Sequence, residues 1–327
     1  MERSAAKPRA VFIVGPTACG KTTLSIDIAK RFDGEIVSAD SVQVYRGFNI
    51  GAAKPTLEER RGVPHHLLDC VAPDCPDYSV SAYREQALAA IGDITARGRL
   101  PFVVGGSGLY VNALVYPLNF AVPSDPTIRA RLERTFPAQE TLLAWKRLQE
   151  LDPITADRLH PNDRKRIIRA LEVCAASGRP LSAFGNDFAN AAGKEAPLHA
   201  LLIGLTMDRA LLYERINARV DAMLDAGLLD EVRALANRNL SRKLPAMQSI
   251  GYRQLLAYLD GEISFEEAVE AIKRETRRFA KRQIAWFKRD ARIRWHDVGA
   301  ASPAELLNDV TLEIKNWLEQ EAAHGDH

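Results

Sequence analysis

The stretch VFIVGPTACGKTTLSIDIAKRF, residues 11–32, decides the fold of this chain. It starts with β-branched and aromatic residues that run up to Gly15, a pattern typical of a buried strand. After a glycine-rich segment, apolar residues return at helical spacing, at Leu24, Ile28 and Phe32. A strand, a loop and a helix in this order predict the first unit of a doubly wound α/β sheet.

The loop between this strand and helix has the spacing of a phosphate-binding loop, or P-loop. Its residues GPTACGKT match the pattern GxxxxGKS/T, in which backbone N–H groups surround phosphate oxygens, the lysine neutralises them and the last hydroxyl can hold Mg²⁺. A plain glycine turn is disfavoured because a strand precedes the loop and a helix follows it. We therefore predict phosphate binding, with Thr22 as metal ligand, by Gly15, Pro16, Thr17, Ala18, Cys19, Gly20, Lys21, Thr22 and Thr23.

Further strands of the predicted sheet are spread along the chain, with a helix from Ser79 to Arg97 between two of them. In a parallel sheet, ligands bind at the carboxyl ends of the strands, so Asp40 and the glycine turn at 105–108 are expected near the P-loop. The additional strand segments are GEIVSAD (34–40), LPFVVGGSGLY (100–110, with its glycine turn), HALLIGLT (199–206) and IRWHDV (293–298).

The pattern changes after Tyr116, where closely spaced prolines precede short helical segments. A polar, glycine-dotted stretch from Gly178 to Gly193 has the composition of a linker. These changes predict a P-loop NTPase-like doubly wound parallel sheet with an inserted helical domain and a helical C-terminal region, an α/β fold. The predicted parts are a core with helical additions at 8–116 and 199–300, the insertion at 117–198, and a C-terminal helix and tail at 301–327.

The composition excludes a membrane protein and a disordered chain. Of 327 residues, 46% are hydrophobic and 26% are charged, which are ordinary values for a globular protein. No apolar run approaches the roughly 18 residues of a spanning helix, and the polar start lacks the apolar part of a secretory signal. We expect a cytoplasmic protein with no membrane partner, whose four cysteines stay reduced. His65 and His66 are expected to hydrogen-bond rather than bind a metal, because adjacent side chains of an extended segment point apart.

The predicted sheet lacks the carboxylate that holds the metal in nucleotide hydrolases of this fold. Val103 and Val104 lead directly into Gly105, without an acid at the strand end. The strand-end acid is instead Asp40, in SADSVQVY. If it faces a bound phosphate chain, it can act as a base toward an acceptor, which favours group transfer over hydrolysis. The alternative is that Asp40 caps a turn or a helix.

The chain carries basic clusters although its net charge is only +2. From Lys273 to Arg294, ten lysines and arginines stand against two acids, a local charge of +8. A solvated helix face is the alternative for any one cluster, but three clusters together favour RNA as a partner. They comprise Arg274, Arg278, Lys281, Lys288 and Arg292 at helical spacing, opposite Phe279, Gln283 and Trp286; then Arg164, Lys165, Arg166 and Arg169; and Arg253 beside Tyr252, which could stack on a base.

These residues resemble one family, the tRNA dimethylallyltransferases, which isopentenylate the adenosine 3′ of the anticodon. The similarity extends over residues 10–296, and the long blocks are specific. The chain departs from the family pattern at Cys19, where serine is common, at Ala52, where GTAKP is usual, and at Ser107, where GGTGLY is usual. The matching blocks are GPTACGKT, DSVQVYRGFNIGAAKP, PHHLLD, YSVSAYREQAL, GGSGLYVNAL, NDRKRIIRALEV, ERINARVDAML, IGYRQLLAYLDGEI and AKRQIAWFKR.

The resemblance implies prenyl transfer from dimethylallyl diphosphate to tRNA with Mg²⁺ as cofactor, and the P-loop would hold the diphosphate leaving group. Asp40 would take a proton from the adenine amine, Arg219 would gather the departing charge, and Ser107 would lie near the reacting centre. Arg215, one helical turn before Arg219, is a second candidate arginine. We expect a monomer. The tRNA contacts implied are Asp40, Ser41, Val42, Gln43, Ser107, Arg129, Lys165, Arg166, Ile167, Ile168, Arg169, Gln248, Ser249, Ile250, Gly251, Tyr252, Arg253, Lys281, Arg282, Gln283, Ile284, Ala285, Trp286, Phe287 and Lys288.

Three other functions use the same features. A small-molecule kinase would need the P-loop, and a prenyltransferase acting on free adenine nucleotides would need the P-loop and Asp40 but has no use for three basic clusters. An RNA-binding protein whose loop only senses nucleotides would not need Asp40 as a base.

Overall fold

The structure is a computed structural model that describes residues 7–76, 78–117, 122, 124–184, 196–238 and 240–325. Its strands are β1 Arg9–Val14, β2 Glu35–Ser38, β3 His65–His66, β4 Pro101–Gly105, β5 His199–Thr206 and β6 Arg294–Asp297. Its α-helices are α1 Lys21–Arg31, α2 Leu57–Arg60, α3 Val80–Ala96, α4 Gly108–Val115, α5 Pro126–Thr135, α6 Thr141–Leu151, α7 Pro153–Arg158, α8 Arg164–Ser177, α9 Arg209–Asp225, α10 Leu228–Ala236, α11 Tyr252–Leu259, α12 Phe265–Phe287 and α13 Pro303–Gly325.

The six strands form one sheet in the order β3-β2-β4-β1-β5-β6, and every pairing in it is parallel. Val11 and Ile13 of the central strand β1 pack in one apolar cluster with residues of α1 and α13. The opposite face is covered by α3, which contacts β2 and β4 and whose Tyr83 hydroxyl donates to the carbonyl of Ser38 at 3.2 Å. Helices on both faces of a parallel sheet confirm the predicted doubly wound α/β fold.

A second core is formed by the segment after β2. Val44, Tyr45 and Phe48 pack in one cluster with buried residues of helices α9, α10, α11 and α12. The ring of Phe48 lies 4.8 Å from that of Tyr252 at the start of α11. The segment that follows Asp40 is thus held against the C-terminal helices, which places these helices on the ligand side of the sheet.

A buried carboxylate ties together three elements at the amino end of β2. Glu35 is 3% exposed and accepts hydrogen bonds from His66 at 2.6 Å, Arg97 at 2.7 Å and Arg99 at 3.1 Å. Burial raises the pKa of Glu35, but these hydrogen bonds outweigh it and hold the pKa below its ordinary 4.5. His65 bonds to the carbonyl of Val63. Both histidines therefore hydrogen-bond, as expected.

Residues 116–196 form a compact unit of their own, one or two residues from the predicted bounds of the insertion, 117–198. Its core contains Ala144, Leu148 and Leu171. The carboxylate of Glu172 is fully buried there and accepts from the Asp125 amide at 2.7 Å. Most of the predicted linker, residues 185–193, lies outside the described residues.

Helix α13 packs into the same core as the sheet. Val310, Ile314 and Trp317 are buried in the cluster that contains α1, and the Trp317 ring stacks on that of His199 at 5.3 Å. The predicted C-terminal segment, 301–327, is therefore part of the α/β unit up to the end of the helix. None of the described helices is long and apolar enough to cross a membrane.

Candidate active site

The P-loop joins β1 to α1 and is shaped by two glycines with positive φ. Gly15 has φ 146°, and a Cβ there would lie 2.5 Å from the carbonyl oxygen of Leu205 in β5, so no side chain fits. Gly20, with φ 87°, is the N-cap of α1. The turn between strand and helix therefore depends on glycine at both ends.

Helix α1 begins in a way that favours an anion. No side chain caps its first turn, and this turn contains no acidic residue. Its first backbone N–H groups and the positive end of the helix dipole are therefore left to interact with a negatively charged group. The Thr22 side chain lies in this turn, is exposed, and lines a cavity beside the P-loop.

Lys21 and Arg219 are two partly buried cations that line this cavity. Lys21 Nζ donates to the carbonyls of Gly15 at 3.0 Å and Pro16 at 2.6 Å. Burial lowers the pKa of Lys21, and the charge of Arg219 lowers it further, while Cys19 and Asp40 oppose this shift. Burial also lowers the pKa of Arg219, against the attraction of Asp40. Because the two cations repel each other in a partly dry site, an anion bound between them would be favoured.

Arg219 reaches the cavity from α9, with its Nη1 3.5 Å from the Thr17 hydroxyl of the P-loop. Its side chain is partly buried and lines the cavity. Arg215, one turn earlier, is exposed and does not belong to the cavity lining. The structure thus separates the two arginines, and the second candidate lies outside the site.

Asp40 follows β2, where it forms a turn and also lines the cavity. Its Oδ1 accepts from the amides of Val42 at 2.8 Å and Gln43 at 3.3 Å, so the residue forms a turn. Among the described residues, none donates a hydrogen bond to Oδ2, and the side chain lines the cavity with Lys21. One carboxylate oxygen therefore holds the turn while the other is available to a ligand.

Ser107 lies in the turn after β4 and holds the segment that carries Asp40. Its Oγ accepts from the Ser41 amide at 3.0 Å, and its own amide donates to the carbonyl of Ala39 at 3.1 Å. A Cβ at Gly105 would lie 2.1 Å from the carbonyl oxygen of Ala39. The two strand ends are thus in direct backbone contact, and Ser107 fixes the position of Ser41.

The Gln43 side chain is used within the protein. Its Oε1 accepts from Ser38, and its Nε2 donates to the carbonyls of Ala52 at 3.1 Å and Ala53 at 3.2 Å. The amide thereby joins β2 to the loop GAAKP, which also lines the cavity. A direct contact of Gln43 with tRNA stays a prediction.

Glu231 on α10 holds the same loop from the other side, and sequence reasoning missed it. Its carboxylate accepts from the amides of Asn49 at 3.0 Å, Ile50 at 2.8 Å and Gly51 at 3.2 Å, and from the Tyr252 hydroxyl at 2.6 Å. Some 180 residues separate it from the loop, and no motif or periodicity links the two. Only the packing of α10 against the loop reveals this role.

The cavity has a volume of about 510 Å³ and two chemically different sides. The P-loop, Asp40 and Arg219 supply the polar side, and helices α9 and α12 supply much of an apolar wall. A bound molecule with a charged end and a short hydrocarbon part would match both sides. The apolar lining residues from these helices are Ile216, Val220, Met223, Ile272 and Phe279.

Four of the nine predicted phosphate-binding residues line the cavity with their own atoms: Thr17, Ala18, Lys21 and Thr22. Cys19 is completely buried, so its side chain cannot touch a ligand and only its amide is in question. Pro16 has no N–H to offer. The roles of the remaining loop residues, Gly15, Gly20 and Thr23, stay predictions.

The predicted tRNA contacts divide into exposed and buried positions. Tyr252 is wrong as a base-stacking residue, because its ring is fully buried and its hydroxyl is bonded to Glu231. The side chains of Ile167 and Ile168 lie in the core of the inserted unit and Phe287 is 2% exposed, so none can present its side chain to RNA. The exposed predicted residues are Ser41, Lys165, Arg166, Gln248, Lys281, Arg282, Ala285 and Lys288.

Several predicted RNA-binding arginines are already paired. Arg129 and Arg169 bond to the buried carboxylate of Glu172, at 2.8 Å and 3.1 Å. Arg253 pairs with Glu275 between α11 and α12. These guanidinium groups hold neighbouring segments together, and their contact with tRNA stays a prediction.

The site fits Mg²⁺ in the manner usual for phosphate substrates. Among the described residues, no three His, Cys, Asp or Glu side chains are grouped to hold a metal. Mg²⁺ commonly keeps several waters and is bound by one or two protein oxygens together with substrate phosphates. The Thr22 hydroxyl, exposed at the cavity and beside the first turn of α1, is suited to that arrangement.

Comparison with known proteins agrees with this geometry. A family model described as IPP transferase matches residues 43–290, and one described as isopentenyl transferase matches residues 8–70. A tRNA dimethylallyltransferase of Pelotomaculum thermopropionicum is 46% identical over 90% of this chain and 92% of its own length.

Two solved structures are also similar to this chain. A tRNA isopentenylpyrophosphate transferase of Bacillus halodurans has 40% identity and a TM-score of 0.74, and the match covers 98% of this chain and all of that one. A eukaryotic dimethylallyltransferase, described as acting on tRNA, has 30% identity and a TM-score of 0.75, and the match covers 88% of this chain and 73% of that one.

Proposed function

Because the chain belongs to the IPP transferase family, we propose that it transfers a dimethylallyl group from dimethylallyl diphosphate to the exocyclic N6 of the adenosine 3′ of the anticodon in tRNA, releasing diphosphate. The observation that carries the proposal is the cavity in which an anion site, an apolar wall and the carboxylate of Asp40 occur together. A kinase has no need of the apolar wall, and a nucleotide sensor has no need of the carboxylate.

In the proposed reaction, the bond between the allylic C1 and the diphosphate oxygen breaks as the bond between C1 and N6 forms. The amine lone pair is delocalised into the purine ring, so N6 becomes acidic only as its bond to carbon develops. Asp40 Oδ2 then accepts the N6 proton, while Oδ1 keeps the turn in place. Diphosphate leaves with the electron pair of the broken C–O bond.

The charge that develops on the diphosphate meets donors held in place before the reaction. Lys21, Arg219 and the first amides of α1 surround the cavity end at the P-loop. Donors fixed in a partly dry site stabilise such charge more than water does, because they need not reorganise. When bound, Mg²⁺ would be held by Thr22 and would supply further neutralisation of the diphosphate.

The acceptor enters from the side of the segment Asp40 to Gln43 and the loop GAAKP. An adenine in a stacked anticodon loop must leave the stack to expose N6, which costs a few kcal/mol. Cations on the exposed face of α12, including Arg278 and Lys281, would bind the phosphate backbone and offset this cost. We further expect a monomeric, cytoplasmic enzyme.

The test is incubation with labelled dimethylallyl diphosphate, Mg²⁺ and an undermodified anticodon stem-loop, followed by nucleoside analysis. We expect label on N6 of one adenosine and release of diphosphate, and loss of both when EDTA is added. Parallel reactions with AMP and with ATP plus small alcohols separate the alternatives. Equal rates on AMP would support a free-nucleotide prenyltransferase, and formation of ADP without prenyl transfer would support a kinase.

A further inference from the structure

Gln283 on α12 forms a bridge between the two loops that build the anion end of the cavity. Its Oε1 accepts from the amide of Thr17 in the P-loop at 2.9 Å. Its Nε2 donates to the carbonyl of Gly106, in the turn after β4, at 3.0 Å. The side chain is 6% exposed. One amide group thus connects segments that are 266 and 177 residues away in sequence.

The bridge requires an amide and leaves little room for anything else. Thr17 N is a donor and Gly106 O is an acceptor, so a partner must accept on one side and donate on the other. A carboxylate cannot donate and an alkyl chain can do neither. A Cβ at Gly106 would lie 2.1 Å from Nε2 of Gln283 and 3.3 Å from the carbonyl oxygen of Gly15. The backbones of the P-loop and of the β4 turn therefore converge on one side chain at this point.

The next turn of α12 makes a second close contact with the same region. A Cβ at Gly108, the first residue of α4, would lie 2.2 Å from Cδ1 of Trp286. The turn that carries Ser107 is therefore held between Gln283 on one side and Trp286 on the other. Helix α12 is in this way seated directly on the β4 turn and on the P-loop.

The exposed face of α12 carries the cations expected to bind RNA, among them Arg278 and Lys281. Gln283 is buried on the other face, together with Ala280 and Phe287. Although the resemblance to known transferases puts it within a run of tRNA contacts, its polar atoms are both used inside the protein. Gln283 therefore lies at the P-loop end of the cavity, away from the exposed cations of α12.

We propose that Gln283 is a positioning residue that fixes the P-loop and the Ser107 turn against α12, and that it acts on diphosphate binding rather than on tRNA binding. The link to the prenyl donor rests on the proposed function, but the effect on diphosphate does not. Loss of the amide leaves the Thr17 N–H and the Gly106 carbonyl without partners in a buried place, so the loop would move to satisfy them.

The experiment compares Gln283→Met, which keeps the length of the side chain, with Lys281→Met on the exposed face and Glu270→Gln, an exposed residue earlier on the same helix. Binding of inorganic diphosphate with Mg²⁺ and binding of an anticodon stem-loop RNA are each measured by calorimetry at one salt concentration. For Gln283→Met we expect the Kd for diphosphate to rise roughly tenfold or more and the Kd for RNA to stay within about twofold.

The other two variants complete the pattern. Lys281→Met should weaken RNA binding and flatten its salt dependence while diphosphate binding is retained, because it removes a phosphate contact outside the cavity. Glu270→Gln should match the wild type in both measurements. In steady-state assays, Gln283→Met should change the KM for the prenyl donor or kcat and leave the KM for tRNA unchanged, a split that general destabilisation would not produce.

If Gln283→Met does not fold, Gln283→Asn serves in its place, because it keeps the amide but is one methylene too short to span both partners. Unchanged diphosphate binding, or RNA binding weakened more than diphosphate binding, would overturn the proposal. Both binding assays are independent of catalysis. Absence of prenyl transfer by the wild type would therefore count against the proposed function and not against this role of Gln283.

Discussion

Replacing Asp40 by asparagine is the sharpest test of the reaction. In the protein, Oδ1 of Asp40 accepts from the amides of Val42 and Gln43, while Oδ2 faces the cavity without a donor among the described residues. The asparagine carbonyl can keep the two amide bonds, but its NH₂ group cannot accept a proton. The variant therefore removes the base and retains the turn.

The expected loss follows from general base catalysis. We expect kcat to fall roughly 10²- to 10⁴-fold, which corresponds to about 3–5 kcal/mol of transition-state stabilisation. The free energy of unfolding should change by less than about 1 kcal/mol because the turn is preserved. Asp40→Ala is the matched comparison: it should lose the base and also about 1–2 kcal/mol of stability, since two backbone donors lose their acceptor.

The assay is a single-turnover reaction with enzyme in excess over labelled anticodon stem-loop at saturating dimethylallyl diphosphate. Urea unfolding of both variants and calorimetric RNA binding accompany it. General base catalysis by Asp40 does not allow Asp40→Asn to keep kcat within a few-fold of the wild type. If it does, Asp40 is a turn residue and not the base. A loss of activity that merely follows a loss of stability would refute the reasoning in the same way.

Three further predictions follow from other contacts. Arg219→Met should lower kcat roughly 10²-fold by removing a cation from the anion site, whereas Arg215→Met should retain activity because its side chain lies outside the cavity; equal losses in both would contradict this. Glu231→Gln should lower the free energy of unfolding by about 1–3 kcal/mol. Tyr252→Phe should lower it less, because it removes only one of the four hydrogen bonds to that carboxylate. Urea titration of both variants shows which of them is less stable. Because the folded pKa of Glu35 is held below 4.5, the stability that this carboxylate contributes is complete above that pH and is lost as the pH falls through the folded pKa. Glu35→Gln should therefore make the free energy of unfolding fall less steeply at acid pH. An unchanged fall would show that the carboxylate contributes nothing.

Local sequence was sufficient wherever one short segment determined its own conformation. The strand and helix around the P-loop, the strand HALLIGLT and the helix after Ser79 were predicted within a few residues, because periodicity and capping act over one or two turns. Asp40 was identified for the same reason, since it ends a strand next to a turn. The family resemblance confirmed by the comparisons also rested on contiguous blocks.

Charge patterning was a less reliable guide to the RNA-binding surface. The side of α12 with Arg278 and Lys281 is exposed as its spacing predicts. Arg129 and Arg169, however, are bonded to a buried glutamate, and Tyr252 is in the core. The sequence shows that a residue is charged or aromatic, but it does not show which residues of another element will pair with it or bury it.

The amino-acid sequence by itself determined the sheet, the P-loop, the strand-end carboxylate and the family, because each depends on residues that are close together along the chain. Tertiary structure alone decided that Glu231 holds the GAAKP loop and that Gln283 joins the P-loop to the β4 turn. The physical reason is that hydrogen-bond partners and burial are properties of the packed elements, and residues about 180 or more positions apart acquire them only when helices α9 to α12 close over the ends of the strands.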